Sequence, residues 1–138
     1  MEIRTVAARM ENLTEIMDFV DQFLDHPAYS EKVKYQVQVS VEEIFTNIAS
    51  YAYADGEEGD IEVSCGFIKE ADTEILQILF RDWGVPYNPL ERPNPDFDVP
   101  FEERRIGGLG VYMVRLFMDQ VEYSFEDGCN RLMIRKVL

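Results

Sequence analysis

Basic residues are scarce in this 138-residue sequence: 13 lysines and arginines stand against 27 aspartates and glutamates, for a net charge of -14. Sequence-independent nucleic-acid binding needs cations to neutralise phosphates, so this balance argues against it. It argues equally against docking on an anionic membrane. Histidine occurs once, as His26 beside Pro27, and cysteine twice, as Cys65 and Cys129. These are too few nitrogen and sulfur ligands for a zinc site. Two thiols without a secretion signal read as the reduced thiols of a cytoplasmic protein, not as a disulfide framework. No apolar run approaches the ~20 residues that a membrane-spanning helix needs. The opening Met1-Glu2-Ile3-Arg4 has no apolar signal region.

What is present is enough for an ordinary core. Hydrophobic residues make up 46% of the chain, and a length near this one buries roughly 70% of its unfolded surface as one domain. We read residues 1–138 as a single domain. A short strand is expected over 2–8. A helix follows from Asn12, where Asn12 and Glu15 have capping-box spacing and Leu13, Ile16, Met17, Val20, Phe23 and Leu24 recur at helical intervals. A longer helix is expected from Ser30 to Ala54. Ile61, Val63, Cys65 and Phe67 alternate as a half-buried strand. The apolar run from Ile75 to Phe80 predicts a central strand covered on both faces. Five of the six prolines fall within 84–106 (Pro86, Pro89, Pro93, Pro95 and Pro100), and a connection that long inside a compact domain reads as a lid. A third helix opens at the glycines after it, and strands near 121–126 and 130–137 close a hairpin around Asp127-Gly128. The expected fold is α+β, a two-layer sandwich with helices on one face of a mixed, largely antiparallel sheet.

Three segments carry candidate chemistry. On the long helix, Glu43 and Asn47 lie four residues apart and are expected to project together, nearly opposite the apolar stripe Val37-Val41-Ile44-Ile48, with the small Ser40, Ser50 and Ala54 leaving room beside them. In Phe80-Arg81-Asp82-Trp83-Gly84, a carboxylate ends a buried strand, and the glycine leaves space for a flat ligand to approach. In Arg104-Arg105-Ile106-Gly107-Gly108-Leu109-Gly110, glycines open a helix whose bare amides suit phosphate. No Gly-Lys-Ser/Thr ending is present, which excludes a Walker loop. The glycines follow a proline-rich lid and not a strand, which excludes a Rossmann turn. Taken singly, each segment reads as readily as ordinary structure: a solvated helix face, a strand end, a close helix contact.

Their order and spacing together resemble the GHKL ATPase superfamily, and within it the anti-sigma-factor serine kinases of bacteria. Glu43-Ile44-Phe45-Thr46-Asn47 is similar to their asparagine box and Asp82-Trp83-Gly84 to their first glycine box. Gly107-Gly108-Leu109-Gly110, with Met118-Asp119-Gln120-Val121-Glu122 beyond it, is similar to the second. The resemblance implies ATP and Mg²⁺, with Asn47 on the metal, Glu43 as base toward the attacking hydroxyl, and Asp82 beside Gly84 accepting from the adenine amine. It implies phosphate on the amides of the turn Gly108-Leu109-Gly110, and Arg105, with Arg104 close behind, at the terminal phosphate. The implied partners are a sigma factor and an anti-sigma-factor antagonist protein phosphorylated on serine, and the family is often homodimeric. The chain departs from the pattern at Tyr51, where members often carry histidine or lysine. That departure keeps open an ATP-binding adaptor that transfers phosphate poorly; a purely structural interaction protein is the third reading. Trp83, Tyr87, Phe97 and Phe101 mark a partner surface, cover the nucleotide, or simply pack back on the domain.

Overall fold

The computed structural model describes residues 1–91 and 108–138. Strand β1 (Glu2–Ala7) leads through a turn of 3-10 helix to helix α1 (Leu13–Leu24), followed by the long helix α2 (Glu31–Tyr51). Strands β2 (Asp60–Glu70) and β3 (Thr73–Asp82) form a long hairpin. Helix α3 (Gly108–Phe117) precedes the hairpin of β4 (Gln120–Glu126) and β5 (Cys129–Val137). The sheet order is β1-β2-β3-β5-β4, and every neighbouring pair is antiparallel.

Local chemistry explains most boundaries. Ser30 caps α2 by accepting from the Val33 amide at 3.2 Å. Asp127 and Gly128 both take positive φ, at 55° and 77°, as a tight two-residue hairpin turn demands. Asn12 does not cap α1 through its side chain; its Nδ2 instead donates to the Ala7 carbonyl at 2.9 Å. The capping-box spacing with Glu15 is therefore spent on tying the helix start to β1.

The core lies between the helices and one face of the sheet. Ile16, Val20, Val37, Val41 and Phe45 come down from α1 and α2 onto Ile61, Val63, Leu76, Ile78, Phe80 and Ile134. Residue parity along β3 divides the layers: Leu76, Ile78 and Phe80 are fully buried, while Gln77, Leu79 and Arg81 are only half-buried. The expectation that β3 is covered on both faces is thus corrected. Its second face carries polar groups, with Arg81 paired to Glu62 at 2.9 Å and Arg135 bonded to Gln77 at 2.8 Å. Those cross-strand pairs, and not a second helical layer, shield it.

Candidate functional site

A mostly apolar cleft enclosing about 70 Å³ opens at the end of the helical layer where α2, α3 and the strand ends meet. Helix α2 contributes Ile44, Asn47, Ile48 and Tyr51; α3 contributes Val111 and Val114. Its floor is Phe80, Asp82, Asn130 and Leu132, and the loop after β3 covers it with Val85, Tyr87, Pro89 and Leu90. Asn47 and Asp82, 35 positions apart in the sequence, line the same space.

Asp82 is the last residue of β3 and only 5% exposed. Its Oδ1 accepts from the Gly84 amide at 3.0 Å and from Asn130 Nδ2 at 2.9 Å. No described residue takes its Oδ2. Burial raises the carboxyl above the ordinary aspartate range, and the two hydrogen bonds pull it part of the way back. A buried carboxylate with one oxygen satisfied and one open to an apolar cleft is built to accept from a neutral donor such as an amine.

Asn130 was not singled out by the sequence reading. Besides Asp82, its Nδ2 donates to the Val85 carbonyl at 3.0 Å, and its Oδ1 accepts from the Tyr87 amide at 3.0 Å and from the Tyr123 hydroxyl. The only hint available beforehand was hairpin register. The turn at Asp127-Gly128 sets Asn130 opposite Phe125, and the β3–β5 pairing then sets it opposite Asp82 at the end of the central strand.

Gly84 is close to the cleft for a reason other than ligand approach. A side chain there would collide with the Ala52 carbonyl at the end of α2, and the next amide, Val85, donates to that same carbonyl at 3.1 Å. Tyr53 reinforces the junction: its hydroxyl donates to the Asp60 carbonyl at 2.7 Å and accepts from the Trp83 amide at 2.9 Å.

On α2, Asn47 sits beside the apolar stripe and not opposite it, which is what brings its amide to the cleft between Ile44 and Ile48. Its side chain has no hydrogen-bond partner among the described residues. Ser40, expected on the open side, is fully buried and donates to the Gln36 carbonyl at 2.8 Å, so it makes no room for a ligand. Glu43, half-buried, faces the start of α3; any side chain at Gly110 would strike its carboxylate. Burial first, and Glu42 second, push the Glu43 carboxyl above the usual range. Gly110 itself does not line the cleft, although its neighbour Val111 does. The backbone of Gly108 and Leu109 forms the first turn of α3. Arg104, Arg105, Phe97 and Phe101, with the lid from 92 onward, lie outside the described residues. No cluster of three or more metal-ligating side chains occurs among the described residues. Nor is any described helix long and apolar enough to cross a membrane.

The sequence model of the family described as Histidine kinase-like ATPase domain matches residues 6–136, which takes in both strand hairpins, the cleft and helices α1, α2 and α3. The chain belongs to that family. Among relatives of this chain, Serine-protein kinase RsbW of Bacillus cereus is 28% identical over 105 residues, covering 73% of this chain and 62% of the relative. Serine/threonine-protein kinase BtrW of Bordetella bronchiseptica is 22% identical over 119 residues, covering 86% and 81%. The chain thus spans less than two thirds of the length of the RsbW relative. A solved histidine kinase domain from the Erythrobacter litoralis EL346 blue-light activated histidine kinase aligns with a TM-score of 0.55 at 14% identity, covering 91% of this chain and 59% of that one. That likeness concerns the fold alone, and it agrees with the α+β arrangement read from the sequence.

Proposed function

We propose that this chain binds Mg-ATP and acts as a regulatory serine/threonine kinase of the anti-sigma-factor type, working as one domain over residues 1–138. The observation that carries the reading is the convergence of Asn47 and Asp82 on one apolar cleft, each with side-chain hydrogen-bonding capacity left over. The relatives named as serine kinases support the reaction class.

In this reading the open oxygen of Asp82 accepts from the adenine 6-amino group, which an oxo group at the same position would repel. The apolar walls bury the flat base. Phosphates extend toward the turn Gly108-Leu109-Gly110, whose amides sit at the positive end of α3. Asn47 offers an amide oxygen, a suitable hard ligand, to Mg²⁺, which when bound neutralises phosphate charge and takes its remaining ligands from phosphate and water. Glu43 receives the proton of the attacking serine hydroxyl as the oxygen–phosphorus bond forms and ADP departs. Its raised affinity for protons and its position against the first turn of α3 suit that role. Arg105 is assigned to the terminal phosphate on the family pattern alone. A sigma factor and an antagonist protein carrying the acceptor serine are the partners that fit the same pattern.

One observation favours a second reading. Tyr51, 60% exposed at the cleft mouth, supplies no cation where related kinases often do. A non-catalytic ATP-dependent adaptor that holds its partner is the alternative. Incubation with labelled ATP and a candidate antagonist separates the two. Transfer that vanishes in Glu43→Gln while nucleotide binding persists supports the kinase; no transfer to any antagonist supports the adaptor.

A further inference from the structure

Position 130 joins parts of the cleft that are far apart in the sequence. The Asn130 amide makes hydrogen bonds to Asp82 at the end of β3, to Val85 and Tyr87 in the covering loop, and to Tyr123 on β4. It is 7% exposed. Its orientation is dictated by the Tyr87 amide at its Oδ1, which can only donate, and by the Asp82 carboxylate and Val85 carbonyl at its Nδ2. The Tyr123 hydroxyl adapts by donating to Oδ1. Turned the other way, the amide would set oxygen against the carboxylate and –NH₂ against the Tyr87 amide.

We propose that Asn130 is the positioning residue of the base site, with Tyr123 fixing its amide. One N–H of Asn130 occupies Asp82 Oδ1 and so leaves Oδ2 as the oxygen offered to the ligand. The other N–H, with the carbonyl oxygen, holds the Val85–Tyr87 segment over the cleft. Asn130 itself has no polar capacity to spare for a ligand: both its N–H groups and its carbonyl oxygen are engaged within the protein. This inference rests on the ATP-binding reading and adds to it the residue that aims the acceptor.

The charge state at position 130 gives a test that a purely structural residue does not pass. Asn130→Asp preserves shape but places two carboxyl groups in contact, and such a pair retains one shared proton well above the ordinary acid range. With the proton present, the new carboxyl still donates to Asp82. With it gone, the two carboxylates repel, and the carbonyls of the covering loop lose their donor. The titratable groups facing the position are Asp82 from β3, Tyr123 from β4, Tyr87 from the loop and Tyr51 from α2 across the cleft; Glu91 adds its field at Tyr123. Among the described residues none of these groups is basic; the cation nearest the covering loop is Arg115 of α3, which donates to the Leu90 carbonyl.

The experiment is ATP titration by calorimetry between pH 5.5 and 8.5, with the nucleotide-free melting temperature recorded at each pH to verify folding. The terminal phosphate of ATP itself titrates at about pH 6 for every protein, so affinities are compared as ratios. Relative to wild type, Asn130→Asp should lose about tenfold or more as the pH rises, a change of about 1.4 kcal/mol. Tyr123→Phe should weaken ATP by about threefold to tenfold, as expected for one lost hydrogen bond, without the pH slope. Equal affinities for wild type and both variants at every pH would overturn the proposal. If Asn130→Asp does not fold, Tyr123→Phe decides, and unchanged ATP affinity in that variant overturns it. Failure of wild type to bind ATP sinks instead the functional reading beneath it.

Discussion

Asn130 Nδ2 lies 2.9 Å from Asp82 Oδ1, although the two residues are 48 positions apart. They are directly opposed in the ladder between β3 and β5. The buried acid is therefore held by an amide and not by a cation, and it keeps its proton affinity high while one oxygen remains open. Recognition and stability are opposed at this group.

That opposition predicts the behaviour of Asp82→Asn. The raised folded-state value means that Asp82 favours the fold only while protonated, and that contribution is lost as pH rises through the folded value. The amide variant should therefore melt higher than wild type at pH 7 without nucleotide. The difference should vanish at a pH below the ordinary aspartate value, where the acid is protonated in both states. The same variant should lose the stabilisation that ATP gives. Melting curves at two pH values, with and without Mg-ATP, check both halves.

Mg-ATP should raise the melting temperature of the wild-type protein. At a hundred times the dissociation constant, the stabilisation is about 2.7 kcal/mol, equivalent to several degrees in a domain this size. Asn47→Ala should retain the shift seen with ATP in chelator and lose the increment that magnesium adds. No shift with millimolar Mg-ATP or Mg-ADP would count against the whole nucleotide assignment.

Glu43→Gln should reduce phosphoryl transfer by about 10²–10⁴-fold, the usual contribution of a positioned base, with ATP affinity nearly unchanged. Because the Glu43 carboxyl is raised by burial and by Glu42, transfer by wild type should fall off at a higher pH than an ordinary glutamate would dictate as the solution is acidified. Single-turnover rates across the acid limb report this directly.

Gly110→Ala puts a methyl group into the Glu43 carboxylate. The atom met is the far end of a flexible, half-buried side chain that can swing aside, so the overlap should destabilise the domain by less than about 1 kcal/mol. In a Glu43→Ala background the same substitution should cost far less. A double-mutant cycle by denaturant unfolding measures the coupling; additive costs would mean that the Glu43 carboxylate moves aside freely.

Much of the fold was readable because its signals are local. The alternation in Ile61-Glu62-Val63-Ser64-Cys65, the Asp127-Gly128 turn and the Ser30 start of α2 all became the elements expected. The burial of β3 was misjudged because a run of apolar residues does not reveal that Gln77 and Arg81 find partners across neighbouring strands. Asn47 and Asp82 were picked out by spacing and do share a cleft. Ser40 was misplaced because its hydroxyl satisfies itself on the preceding turn of its own helix, a bond that polarity alone does not announce. Asn130 escaped notice because its importance lies in register between distant strands. Gly84 was singled out for room on the ligand side, while the constraint visible in the structure is the Ala52 carbonyl behind it.

The hydroxyl of Tyr53 grips the Asp60 carbonyl on one side and the Trp83 amide on the other, just past the end of α2. The segment after the helix, the start of β2 and the chain leaving Asp82 thereby meet at one pin. Losing that one hydroxyl would untie three segments at the rim of the cleft at once.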